Sequence, residues 1–229
     1  MAYCRHTSNI TLAKQMKYNT IIFDLDGTLM DTLKDLWLSV NYSLRANNLP
    51  GRSLEEVRTF VGNGVRLLIQ RAIPEGSDEQ TLNAVLQTFK EHYAAHCKDN
   101  SAPYEGIADA MRTLREQGRR VAIVSNKPQF GVTELHEEWF KDLAEVAVGE
   151  REGVRRKPAP DMVEVALREL GVSKDGAVYI GDSDVDINTA TNSGMPCVSV
   201  LWGFRDKDFL TKHGATQFAE KPSDLLNIL

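Results

Sequence analysis

The sequence predicts an α/β fold: a doubly wound parallel sheet with a block of helices inserted after its first strand. Three observations carry that reading. Short apolar runs rich in β-branched residues recur along the chain, as in strands buried on both faces. Helical patterns separate these runs, and strands alternating with helices build parallel sheets. Each run is followed by Gly, Ser, Asn or Asp, at the strand end where such sheets hold their ligands.

Thr20–Leu25 (Thr-Ile-Ile-Phe-Asp-Leu) is the first strand, and Asp26-Gly27-Thr28 reads as the turn that ends it. From Asp31 to about Asn100 the pattern is helix after helix, with no convincing strand. Leu33, Leu36, Trp37, Val40 and Leu44 follow helical spacing, as do Leu82, Val85, Leu86, Phe89 and Tyr93. Ser53 with Glu56, and Ser77 with Gln80, have the form of a capping box at a helix start. Gly118 closes a helix over Gly106–Gln117. Strands follow at Val121–Val124 and, more weakly, Glu145–Val148. A helix over Pro160–Leu170 begins on proline and stops at Gly171, the expected polarity of helix ends. Ala177–Ile180 and Cys197–Leu201 complete the strands.

Composition narrows the function classes. The chain has 229 residues, 27 basic and 32 acidic, with a net charge of −5. This mild acidity argues against nucleic acid as a partner, because neutralising phosphates needs a basic face. No apolar stretch approaches the roughly 20 residues of a membrane-spanning helix. Cys4, Cys97 and Cys197 are few, odd in number and far apart, which points to reduced thiols in the cytoplasm. Met1–Gln15 has basic residues, no acidic ones and no apolar block. It reads as a loosely held extension, with Met16 as an alternative start.

The chemistry concentrates at the strand ends. Asp24-Leu25-Asp26-Gly27-Thr28 puts two carboxylates two residues apart, diverging if a turn begins between them. One could then act as nucleophile and metal ligand, the other as acid and base. Taken alone, Asp26-Gly27 could equally be a plain chain reversal. Ser125-Asn126 follows the second strand, where it could instead cap a helix. Lys157 lies in Arg156-Lys157-Pro158-Ala159-Pro160, where it could be a surface charge. Gly181-Asp182-Ser183-Asp184-Val185-Asp186 follows a later strand.

Together, and in this order, these segments resemble the four motifs of the haloacid dehalogenase superfamily, specifically its phosphatases with a helical cap. The resemblance covers nearly the whole chain from Met16. It implies a Rossmann-like core over residues 16–30 and 101–229, with a helical cap domain over residues 31–100. It makes Asp24 a nucleophile that forms an aspartyl-phosphate, and Asp26 the acid and base. Lys157 would neutralise both Asp24 and the phosphoryl group. Ser125, Asn126, Gly27 and Thr28 would surround that group.

Mg2+ is the implied cofactor, held by the side chains of Asp24 and Asp182 and the backbone carbonyl of Asp26. Asp186 would hold a metal-bound water, and Asp184 reads as a solvated charge. The resemblance also implies a small phosphorylated metabolite as substrate, for a monomer or homodimer. Asp26 separates this pattern from the superfamily's dehalogenases, phosphonatases and ion-pumping ATPases. Sugar-phosphate mutases keep both carboxylates and stay open as an alternative. A phospho-accepting receiver-like module fits less well, because it needs an open face.

Phe60-Val61-Gly62-Asn63-Gly64-Val65 lies between two helices and resembles the glycine-rich cap segment of phosphoglycolate phosphatases. On that ground Gly62, Asn63, Gly64 and Arg66 are candidate substrate contacts, and 2-phosphoglycolate is the best single substrate guess. A plain helix–helix turn would explain the same residues. His92 and His96 are spaced i, i+4, which permits a metal but reads more simply as packing. Trp202-Gly203-Phe204-Arg205 reads as a turn bordering the site.

Overall fold

The structure is a computed structural model that describes residues 17–229. The N-terminal extension and the alternative start at Met16 lie outside the described residues. The central sheet has six strands: β1 (Thr20–Phe23), β4 (Arg120–Pro128), β5 (Val146–Glu150), β6 (Ala177–Gly181), β7 (Cys197–Val200) and β8 (Phe218–Ala219). A separate two-residue pair joins β2 (Met30–Asp31) to β3 (Ala102–Pro103) in antiparallel fashion. In the main sheet the order is β5-β4-β1-β6-β7-β8, with every pairing parallel. The chain first builds outward from β1 through β4 to β5, then returns to build β6, β7 and β8 on the other side. β1 is therefore the switch point, where a crevice opens at the carboxyl ends.

Strand alternation sorts the core onto two faces. Ile21, Phe23, Val121, Ile123, Val178 and Ile180 pack on one side, against α5 (Ile107–Glu116) and α6 (Gln129–Leu135). Ile22, Ala122, Val124 and Tyr179 pack on the other, against α7 (Asp161–Leu170) and α8 (Asp184–Ser193). Both faces are covered, which is why these strands read as unbroken apolar runs. Gly171 takes up a left-handed conformation after α7, as its position predicts.

The segment between β2 and β3 forms four helices: α1 (Leu33–Ala46), α2 (Leu54–Phe60), α3 (Val65–Ala72) and α4 (Glu79–His96). They share a core of their own that includes Val40, Leu44, Val57, Ile69, Val85 and Phe89. Phe204, from the loop after β7, is packed into it. The capping box at Ser53 and Glu56 is present at the start of α2. The expected box at Ser77 and Gln80 is not. Asp78 caps α4 instead, its side chain accepting the Thr81 N–H at 2.8 Å. An aspartate at the N-cap also favours the positive end of the helix dipole.

Candidate active site

Asp24 follows the last residue of β1, and its N–H donates to the Ile180 carbonyl at 2.8 Å, continuing the sheet. The chain then turns tightly. Leu25 accepts from the N–H groups of Thr28, Leu29 and Met30, and Gly27 N–H donates to Met30. Gly27 has φ +83°, and a Cβ there would stand 2.3 Å from Asp182 Oδ2. Only glycine fits so close to that carboxylate in this backbone conformation. The turn ends the strand between Asp24 and Asp26, and both line a cleft at the switch point with Ser125, Asn126, Lys157 and Asp182.

Three carboxylates gather there. Asp24, Asp182 and Asp186 each offer an oxygen within 4.8 Å of the other two. The Lys157 ammonium stands 2.8 Å from Asp24 Oδ1 and 2.8 Å from Asp186 Oδ1. It also reaches the Tyr179 hydroxyl at 3.1 Å. The second Asp186 oxygen accepts from Ser183 Oγ at 2.6 Å and Ser183 N–H at 3.1 Å. Asp24 Oδ1 has the Lys157 ammonium as its polar partner, at the length of a charge-assisted contact.

The electrostatics are unbalanced, with three buried carboxylates against one ammonium. Burial raises the Asp24 carboxyl well above its ordinary range; Asp186 and Asp182 add to this, and Lys157 opposes it. Burial, then Asp186, pushes Asp182 up to about 7, although it accepts the Phe204 N–H at 2.6 Å. For Lys157 burial acts the other way, but Asp186 and Asp24 outweigh it and hold the group charged. Three clustered hard oxygen donors and an excess of negative charge fit a divalent cation such as Mg2+.

β4 shifts register against β5 between Val124 and Pro128, and this irregularity presents Ser125, Asn126 and Lys127 at the cleft. The Asn126 side chain does more than its sequence position implies. Its Oδ1 accepts Lys157 N–H at 2.9 Å, and its Nδ2 donates to the carbonyls of Lys157 and Gly62 at 3.0 and 3.1 Å. One amide thus fixes the lysine loop and also holds the helical block by its glycine-rich segment.

Several expected contacts fall elsewhere. Gly62 and Gly64 line the cleft, but Asn63 faces an outer groove and accepts from Arg71 at 2.9 Å. Arg66 turns away and binds Glu79 and Asn83, because α4 offers it an acidic partner on the exposed side. Gly27 and Thr28 do not line the cleft. They pack on Asp182, and Thr28 receives Trp202 Nε1 on its carbonyl at 2.9 Å. Arg205 lines the cleft while its guanidinium donates to the carbonyls of Arg58, Thr59 and Val61, tying the loop after β7 to α2. His92 meets Ser39 and stacks on Tyr42 and His96, a packing arrangement.

Lys127 escaped the sequence reading altogether. Its buried ammonium lies 2.9 Å from Asp26 Oδ1 and binds the Tyr93 hydroxyl. Thr32 Oγ1 donates to the same Asp26 oxygen at 2.6 Å. The signal available was adjacency, since Lys127 directly follows Ser125-Asn126.

Residues 21–200 match the model of a haloacid dehalogenase-like hydrolase family. The chain is 31% identical to a phosphoglycolate phosphatase of Pseudomonas putida, over 91% of this chain and 76% of that one. It is 28% identical to an N-acetylmuramic acid 6-phosphate phosphatase of Pseudomonas aeruginosa, over 94% and 96% of the two chains. A crystal structure from Lactobacillus delbrueckii, provisionally named a phosphoglycolate phosphatase, superposes with a TM-score of 0.89 at 40% identity. It covers 93% of this chain and 98% of its own.

Proposed function

The chain belongs to the haloacid dehalogenase-like hydrolases and is a phosphatase of that family; we propose that it hydrolyses a small phosphomonoester through an aspartyl-phosphate on Asp24. The observation that carries this reading is the cluster of Asp24, Asp182 and Asp186 around one lysine, with Asp26 in the same cleft.

An Asp24 oxygen attacks phosphorus as the bond to the leaving oxygen breaks. Asp26 gives its proton to that oxygen, then takes one from the water that cleaves the acyl phosphate. Lys157 reduces repulsion between Asp24 and the phosphoryl oxygens. The Ser125 hydroxyl and Asn126 N–H donate to those oxygens. Asp24, Asp182 and the Asp26 carbonyl would hold Mg2+, with Asp186 behind them. When bound, the ion neutralises phosphoryl charge.

Residues 31–100 serve as a cap over a core built from residues 16–30 and 101–229. Val61, Gly62, Gly64, Val65 and Leu68 of the helical block line the cleft beside the carboxylates. A site walled on that side supports a small ester rather than a macromolecule. 2-Phosphoglycolate is the substrate to test first, since several relatives at about 30% identity carry that activity in their names.

The test is phosphate release from a panel holding 2-phosphoglycolate, a sugar 6-phosphate and a hexose 1-phosphate, with Mg2+ and with a chelator. Release from 2-phosphoglycolate that the chelator abolishes supports the whole reading. Release from the sugar phosphate alone replaces the substrate and keeps the chemistry. Isomerisation of the hexose phosphate with little release would make the protein a mutase.

A further inference from the structure

We propose that Lys127 is a positioning residue for the proton donor Asp26, and that Tyr93 of α4 sets Lys127 in place. The assignment rests on the phosphatase reading above and adds to it two residues and a division of labour between oxygens.

Packing alone does not call for a lysine at position 127. Its side chain is only 2% exposed. A buried charge carries a desolvation cost of several kcal/mol, and an apolar residue of similar volume is often as stable or better. What the ammonium gains here is direction. It sits 2.9 Å from Asp26 Oδ1, bonded to the Tyr93 hydroxyl and 4.8 Å from the centre of that ring. Thr32, just before α1, donates its hydroxyl to the same Oδ1. With Lys127 and Thr32 both on Oδ1, the other oxygen of Asp26 is the one left for a leaving group.

The three partners come from different parts of the fold. Lys127 extends from β4, Thr32 precedes α1, and Tyr93 lies near the end of α4. Tyr93 is buried, and its hydroxyl spends its bond on Lys127 rather than on its own helix. The helical block therefore contributes to acid alignment as well as to the wall of the cleft. Proton delivery is correct only when α4 is seated.

The readout is the dependence of kcat/KM on the leaving group, measured on the full chain with Mg2+. An alkyl phosphate needs a proton on its leaving oxygen, whereas 4-nitrophenyl phosphate releases a stable phenolate and needs little help. Lys127→Met should lower kcat/KM for the alkyl ester about 100-fold, and for the nitrophenyl ester less than about tenfold, in line with the usual worth of a positioned acid. Tyr93→Phe removes one hydroxyl and should give the same asymmetry at smaller size, which decides the matter if Lys127→Met does not fold. Equal proportional losses on both esters, or no loss on either, would overturn the assignment. A wild-type protein that releases phosphate from neither ester would overturn the phosphatase reading itself, and is told apart because it needs no variant.

Discussion

At the scale of single residues, the site depends on a few atoms that cannot be exchanged. Asp24→Asn keeps the shape of the cleft but removes the proposed nucleophile, and turnover should fall on the order of 1000-fold or more. Phosphate release at saturating substrate measures it. Gly27→Ala is a sharper test of the geometry. Its φ of +83° and a Cβ position 2.3 Å from Asp182 Oδ2 force either the turn or the carboxylate to move. Strain of about 1–3 kcal/mol is expected, together with a weakened response to Mg2+ as Asp182 shifts. Thermal unfolding and a Mg2+ titration of activity separate the two effects. Gly203 shares the steric part of that constraint, since a Cβ there would meet Asp182 Cβ at 2.3 Å.

At the scale of elements, the two connections between the helical block and the sheet are locked by one buried aspartate. Asp35, in the first turn of α1, accepts the Asn100 and Ser101 N–H groups, Asn100 Nδ2 and Ser101 Oγ, all at 2.7–3.0 Å. Asp35→Ala leaves several buried donors without an acceptor, and stability should drop by about 2–4 kcal/mol. A urea midpoint that did not move would mean the connections hold without it.

Much at this level was legible in the sequence. Ile21-Ile22-Phe23 and Val121–Val124 announce buried strands because both faces of the sheet are covered. The α7 helix announces its end through Gly171. The short β2–β3 pair was not legible, because two-residue strands have no period. β4 also runs past Val124 to Pro128, since polar Ser125, Asn126 and Lys127 break the apolar pattern while staying in the strand. The same break hid Lys127. Tyr93 was read as one more apolar position on a helix, and nothing local to α4 reveals that its hydroxyl meets a lysine from β4, 34 residues further on.

At the scale of the whole molecule, the buried carboxylates couple the fold to pH and, on the proposed reading, to metal. In the metal-free protein Asp182 is pushed from 3.8 up to about 7, so the folded form keeps a proton that the unfolded chain releases. Stability then falls with rising pH across that window, from about 4 to about 7, because the unfolded state binds fewer protons there. On the proposed reading Mg2+ takes the deprotonated form, so adding it should reverse the slope. Thermal unfolding between pH 4 and pH 8, with chelator and with Mg2+, checks the sign. Curves that run parallel would argue that these carboxylates do not share an ion.

The central claim is that catalysis passes through Asp24 itself. The most direct measurement is to acid-quench the Mg2+-loaded protein during turnover and locate any added phosphoryl group by peptide mass. A phosphoryl group on the peptide containing Asp24, absent from Asp24→Asn and lost on mild alkaline treatment as an acyl phosphate is, is the predicted result. Sustained phosphate release by Asp24→Asn, or a phosphoryl group carried on any other residue, would contradict it.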